Sequence, residues 1–330
     1  MRRRSLLGLP VASTLLGALA PPRALAQSGK GLRRVGLLIP GAAPAAAADA
    51  QYLQAFRDGL RERGLVEGRD VAIEVRYANG RQADLAPLAA EIAALKPAVW
   101  VAIGGAAARA ALGAAPNLPI AALTGDFRAA GLAADFGHPE GRVTGVSFLS
   151  ADLDAKRLEL LAVLLPKGSA VLNLGDPAAI TGAKAAIEAT GRNLGLTLHA
   201  ATARTPEEID AAFATARRLR VAGVNVLSSP FLNNERARII ELAAGARLPA
   251  IYQWPESAEA GGLMAYGARL SAIFRQLGVY AARILDGAKP AELPIEQPTR
   301  FELVINLKTA KALGITMPQS LLLRADEVIQ

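Results

Sequence analysis

Cysteine is absent from the 330 residues. Its absence excludes disulfides, thiolate nucleophiles, cysteine-held zinc or iron–sulfur centres, and a lipidated cysteine anchor. Histidine is almost absent too: His138 and His199 are too few and too far apart for a histidine metal cage. His138 sits in a Gly-His-Pro turn and His199 alternates along an expected strand, so both read as structural. Aromatic residues make up 5%, which leaves any pocket few stacking platforms. There is no G-x-S-x-G elbow, no Walker A loop and no H-E-x-x-H zinc motif. No catalytic residue, metal site or cofactor is therefore expected. Beyond the first 26 residues there is no long uncharged apolar run, and no membrane-spanning helix is expected there.

What the chain does have begins with Arg2, Arg3 and Arg4, ahead of an apolar run from Leu6 to Ala20. Pro21, Pro22 and Arg23 then lead to Ala24-Leu25-Ala26, a small-residue exit. A basic head, a short apolar core and an A-x-A site are the marks of a secretory signal. Residues 1–26 are therefore read as a signal peptide cleaved near Ala26, with Arg3-Arg4 also resembling a twin-arginine signal. The mature chain is expected free in the periplasm. The formal charge of +8 falls to +4 once the four arginines of the signal are gone. The remaining Arg and Lys alternate with acids, as in Arg57-Asp58 and Arg61-Glu62-Arg63. That is the pattern of solvated helix faces, not of a nucleic-acid footprint.

Past the signal the chain alternates strands and helices. Arg34 to Ile39 is a near-continuous apolar run, suited to a strand buried on both faces of a parallel sheet. Leu53, Phe56 and Leu60 share one face of a helix that Gly64 stops. Further strands are expected at 71–77, 98–103, 119–123 and 142–148, then at 171–174, 196–200, 224–227 and 250–253. Thr205-Pro206-Glu207-Glu208 marks a helix start, with a capping residue, a first-turn proline and a box glutamate. Two runs of βα units, separated by the glycine-containing stretch from Gly125 to Gly145, predict two parallel-sheet lobes. A single TIM barrel is the lesser alternative.

In open α/β sheets ligands bind at the carboxyl ends of the strands, and polar residues gather there. Gly104, Gly105 and Ala106 follow a strand and open a helix, where free N–H groups favour an anion such as a carboxylate. The alternative is a tight turn and nothing more. Thr124 and Asp126 end the next strand, and Ser229 and Phe231 follow the strand at 224–227. Trp254 and Glu256 follow the strand at 250–253. Asp126 or Glu256 suits a ligand ammonium, and Phe231, Tyr252 or Trp254 an apolar side chain. A bland role stands beside each: Asp126 as a turn residue, Tyr252 and Trp254 as core. Trp100, in mid-strand, reads as core.

The C-terminal third carries specific motifs. Glu259-Ala260-Gly261-Gly262-Leu263-Met264-Ala265-Tyr266-Gly267 and the run from Leu293 to Gly314 resemble the tryptophan/tyrosine-type ABC transporter substrate-binding protein family. Gly145 to Ser150, with Lys156 to Leu161, is similar to its middle signature. The resemblance spans essentially the whole mature chain. It implies two Rossmann-like α/β lobes with parallel sheets, in type I periplasmic-binding-protein architecture with three hinge crossings. The crossings would lie near Asp126 to Val143, Gly262 to Gly267 and Ala291 to Pro298. The N-terminal lobe would then be 31–124 plus 268–291, and the C-terminal lobe 125–267 plus 292–330. The helix from Leu270 to Leu285 would return to the first lobe. An amino acid or related carboxylate would bind between the lobes, with Tyr266 joining the residues above. The expected partners are an inner-membrane ABC permease and its cytoplasmic ATPase, with the binding protein a monomer and no nucleic acid involved. A receptor-coupled sensing protein is the alternative, and an enzyme on the same scaffold a more distant one. Relatives commonly carry a Gly-Thr-Pro turn where this chain has Gly104-Gly105-Ala106, so its cleft has fewer hydroxyls.

Overall fold

The computed structural model describes residues 31–43, 47–139, 141–148 and 150–330; the expected signal segment lies outside them. Strand β1 (Arg33–Ile39) buries Val35, Leu37 and Leu38 completely, as a central strand of a parallel sheet must. It is followed by α1 (Ala47–Glu62), β2 (Val71–Tyr77), α2 (Leu85–Ala94), β3 (Val99–Ile103), α3 (Gly105–Ala114), β4 (Ile120–Thr124) and β5 (Val143–Ser147). The strands form a five-stranded parallel sheet of order β2-β1-β3-β4-β5. Leu85, Ala89, Ile92, Ala107 and Ala111 cover one face from α2 and α3.

The second lobe holds α4 (Ser150–Ala162), β6 (Ala170–Gly175), α5 (Pro177–Leu194), β7 (Thr197–Thr202), α6 (Pro206–Arg218) and β8 (Gly223–Val226). It continues through α7 (Pro230–Asn234), α8 (Arg236–Gly245), β9 (Ala250–Tyr252), α9 (Pro255–Glu259) and β10 (Met264–Gly267). Helix α10 (Leu270–Leu285) then goes back to the first lobe. β11 (Glu302–Asn306), α11 (Leu307–Leu313), α12 (Gln319–Leu322) and β12 (Glu327–Ile329) finish the second lobe. Its seven-stranded sheet has the order β12-β11-β10-β9-β8-β6-β7, and β11 runs antiparallel to β10. The start of α6 is capped as its sequence predicts, with Thr205 Oγ1 accepting from the Glu208 N–H at 3.3 Å. The Glu208 carboxylate reaches the Arg204 N–H instead of that of Thr205. Among the described residues no helix is long and apolar enough to cross a membrane.

Three crossings join the lobes, and two of them differ from expectation. β5 stays in the first sheet, paired to β4 from Ile120↔Val143 to Thr124↔Ser147, so the boundary expected after residue 124 falls one strand too early. The glycine-containing stretch is no linker: Phe127 (0% exposed) and Leu132 pack it into the first core. Residues 293–296 also stay with the first lobe. Ile295 is buried in its core, and Glu296 exchanges backbone hydrogen bonds with Gly145 and Ser147. The chain thus crosses between β5 and α4, between β10 and α10, and again before β11.

Helix α10 buries Leu270, Ile273, Leu277, Tyr280 and Ile284, the expected face. It lies on α1 through a reciprocal close approach. A Cβ on Gly59 would fall 1.9 Å from the Arg275 carbonyl oxygen, and one on Gly278 would fall 2.2 Å from that of Phe56. Both obstacles are helix backbone and cannot rotate away. Gly278→Val is expected to destabilise by about 1–3 kcal/mol through overpacking, read as a lower urea midpoint at unchanged m-value.

The second crossing carries a buried carboxylate. Glu256, at the start of α9 and 5% exposed, accepts from the Ser271 N–H at 3.2 Å and its hydroxyl at 3.3 Å. A second-lobe acid thereby caps a first-lobe helix. Burial pushes its carboxyl above the usual carboxylate range, with the bonds from backbone N–H groups pulling the other way. The folded chain therefore favours the protonated form, and stability is lost as pH rises through that range. Glu256→Gln keeps an acceptor for Ser271 without the charge. It should melt higher than wild type at pH 7, by a few degrees if worth about 1 kcal/mol, with the difference closing below about pH 4.

Candidate functional site

Between the lobes lies a cleft of about 980 Å³, at the upper end of the size range for small-molecule sites. Its walls are the carboxyl ends of the strands. Ile39, Tyr77, Ile103 and Thr124 end first-lobe strands; Asp176, Ala203, Ser228 and Trp254 follow second-lobe strands.

The floor, on the hinge side, is aromatic. Phe148 of the first lobe meets Trp254 of the second edge to face, with ring centroids 5.2 Å apart and planes at 68°. Tyr52 of α1 stacks on Phe274 of α10 at 5.5 Å. Leu53 and Leu270 complete that surface. The expectation of few stacking platforms is thus reversed. The chain has eight Phe, two Trp and five Tyr, and Tyr52, Tyr77, Phe148, Phe231, Trp254 and Phe274 all line this one cleft.

One wall contains the start of α3. Its cap, Gly104, has φ +90° and no side-chain cap bond, so the first-turn N–H groups face the cleft with nothing from a side chain on them. Arg109 lies one turn further on and also lines the cleft. Its guanidinium donates to the Ala130 carbonyl at 3.0 Å, and a Cβ on Gly105 would be 3.4 Å from its Nη1. A cation and an uncapped helix start together favour an anion.

The two walls touch at the mouth. A Cβ on Gly41, Gly80 or Gly104 would lie 1.9 Å from Asn234, 3.3 Å from Phe231 and 3.6 Å from Pro230, respectively. Helix α7 of the second lobe therefore sits in a saddle of glycines at the ends of β1, β2 and β3. A side chain at Gly41 would displace the Asn234 amide, whereas a Cβ at Gly104 would make only ordinary contact.

Of the residues singled out from sequence, Gly104, Gly105, Ala106, Thr124, Asp126, Ser229, Phe231 and Trp254 line the cleft. Tyr266 does not. Its ring packs against Phe301 and the second core, and no residue of β10 is among those that line the cleft. Asp126 lines the wall but spends one oxygen locally, accepting from Arg128 N–H at 2.7 Å and Ala129 N–H at 3.4 Å. The turn role and the wall position coexist. Glu256 points to Ser271 instead, and Tyr252 is core at 1% exposure.

Sequence reasoning placed Ser228 at a polar strand end, where it lines the cleft, but did not single out Tyr52, Phe148 or Phe274, which lie within its expected helices and strand. It also missed Arg109, whose spacing was a usable signal, because a side chain four residues after Gly105 points back along α3 to its start. Behind Ser228, Asp154 and Arg157 form a buried ion pair. Burial pushes the Asp154 carboxyl upward, and the Arg157 charge opposes that shift. Among the described residues no group of His, Asp or Glu could hold a metal ion.

The chain is 24% identical over 273 residues to the tyrosine-binding protein of Clostridioides difficile, covering 79% of this chain and 75% of that one. It superposes on a conserved domain protein from Vibrio cholerae with a TM-score of 0.81 at 24% identity, covering 90% of this chain and all of that one. A streptococcal ABC domain in complex with L-Trp gives a TM-score of 0.78 at 25% identity, over 89% of this chain and all of that one. Solved neighbours place the fold in the type I periplasmic-binding-protein class. The family described as ABC transporter substrate binding protein matches residues 44–329. The chain belongs to that family, whose members bind small ligands and work with ABC transporters.

Proposed function

We propose that this protein captures an aromatic amino acid or a related aromatic carboxylate and delivers it, from the periplasm, to an importing permease driven by an ATPase. The observation that carries the reading is the pairing of an aromatic floor with an anion-favouring wall in one cleft. A planar ring fits against Phe148 and Trp254, where edge-to-face contacts favour it. The carboxylate then lies at Gly104, Gly105 and Ala106 with Arg109 beside it, and Asp126 and Ser229 stand near the ligand's other polar groups. The tyrosine-binding relative and the L-Trp complex support this chemistry, and the signal-like residues 1–26 support export. Binding proceeds by lobe closure, because a ligand touching both walls stabilises the closed state over the open one. A monomer suffices for this action.

The test is titration of residues 27–330 with L-tryptophan, L-tyrosine, tryptamine and a hexose. L-tryptophan or L-tyrosine at a hundred times its dissociation constant should add ~2.7 kcal/mol to stability, a melting shift of several degrees. Arg109→Met should weaken the amino acid about tenfold or more, the worth of one hydrogen bond to a charged group, and leave tryptamine unaffected. Trp254→Ala should weaken both aromatic ligands by a similar factor. A melting shift from the hexose with none from the amino acids would overturn the assignment.

A further inference from the structure

Among the described residues, Asp154–Arg157 is the one ion pair whose two side chains are both sealed from solvent, at 1% and 0% exposure. Apolar residues of the same shape would usually be as stable there, because desolvation offsets the attraction. Stability alone does not explain the pair; its connections do. Arg157 Nη2 donates to Asp154 Oδ1 and to Ser228 Oγ, the latter at 2.9 Å, and Nη1 donates to the Tyr266 carbonyl at 2.9 Å. The Ser228 N–H donates to Asp154 Oδ1 at 3.2 Å. Asn225 Nδ2 holds the Asp154 carbonyl at 3.2 Å from below. One guanidinium therefore joins α4 beside the first crossing, the end of β10 at the second, and Ser228 in the cleft wall.

The Ser228 hydroxyl has one hydrogen to give. Its oxygen already accepts from the guanidinium. The nearest carboxylate oxygen is 3.4 Å away and already takes two N–H donors. That leg is weak, which leaves the hydrogen for an acceptor in the cleft. Across the cleft stands the start of α3. Pro230, two residues after Ser228, is the residue that a Cβ on Gly104 would meet at 3.6 Å.

We propose that Arg157 is a positioning residue for ligand capture. It sets Ser228 as a hydrogen-bond donor in the second-lobe wall, so that a carboxylate seated at the start of α3 gains a second-lobe bond only when the lobes meet. The inference rests on the carboxylate reading above and adds to it a residue that touches no ligand.

The experiment uses wild type, Ser228→Ala, Arg157→Lys, these two combined, and the apolar pair Asp154→Leu with Arg157→Met, which preserves packing should single variants fail to fold. Each is titrated with L-tryptophan and with tryptamine, which lacks the carboxylate. Hydrogen exchange is followed in the ligand-free protein. Arg157→Lys keeps the charge but cannot reach all three acceptors. It should weaken L-tryptophan about tenfold, the scale of a charged hydrogen bond, leave tryptamine unchanged, and have no further effect once Ser228 is alanine. The apolar pair should fold and show the same loss. Exchange over Leu227–Leu232 should quicken in both Arg157 variants while β1 and β3 keep their protection. An equal loss with and without the Ser228 hydroxyl, or unaltered exchange over Leu227–Leu232, overturns the proposal. If wild type binds L-tryptophan no better than tryptamine, the carboxylate reading has failed instead, and exchange alone decides the positioning role.

Discussion

Strand direction governs everything else in this molecule. From β1 to β9 the strands are parallel, and each sends its carboxyl end, or the residues just after it, to the same cleft. Right-handed βα connections bring the helix starts to the same edge. Loops, uncapped N–H groups and short polar side chains therefore collect where the lobes face each other. The cores are mainly apolar, and polar positions inside them, such as Asn173 and Asn225, bond to each other. The antiparallel β11 breaks the rule only after the cleft is complete.

A second division of labour follows within the cleft. Its hinge-side floor is formed by residues that also belong to the first core, among them Tyr52, Phe148, Trp254 and Phe274. Moving such residues would disturb packing, so the floor is fixed by the fold's own stability. The outer walls are different: Asp126, Asp152 and Arg204 are exposed side chains on strand-following segments. The charged groups that are buried, Glu256, Glu302 and the Asp154–Arg157 pair, sit beside the crossings instead. Arg269 acts similarly from outside, binding Glu259, Glu302 and Glu327 where β10 hands over to α10.

Most elements could be read from residue spacing, because β1 is continuously apolar and α10 repeats Leu270, Ile273, Leu277 and Tyr280 along one face. Local chemistry fixed the start of α6 at Thr205. The first crossing was misread for an equally physical reason. The stretch after β4 has the glycines of a linker, and only its tertiary packing shows that Phe127 anchors it to the first core. Residues at strand ends were found because strand ends can be recognised in sequence. Of the aromatic floor only Trp254 was, since Tyr52 and Phe274 have the spacing of core residues, and no local pattern marks a core residue that also faces a cavity. Tyr266 failed because neither face of β10 reaches the cleft, and the strand pattern does not show which strands border it.

The reciprocal glycine contact between α1 and α10 has a consequence for how the chain is made. Gly59 meets residues near 278, and β5 is bordered by Glu296, so the first lobe is completed by segments translated after nearly all of the second. A ribosome releasing this chain from its N-terminus exposes an unfinished first sheet, with one face lacking its helix, until most of the polypeptide has emerged. Contacts of such long sequence separation fold slowly. The first sheet therefore stays incomplete for much of the chain's synthesis, with its apolar strands open to aggregation until those segments arrive.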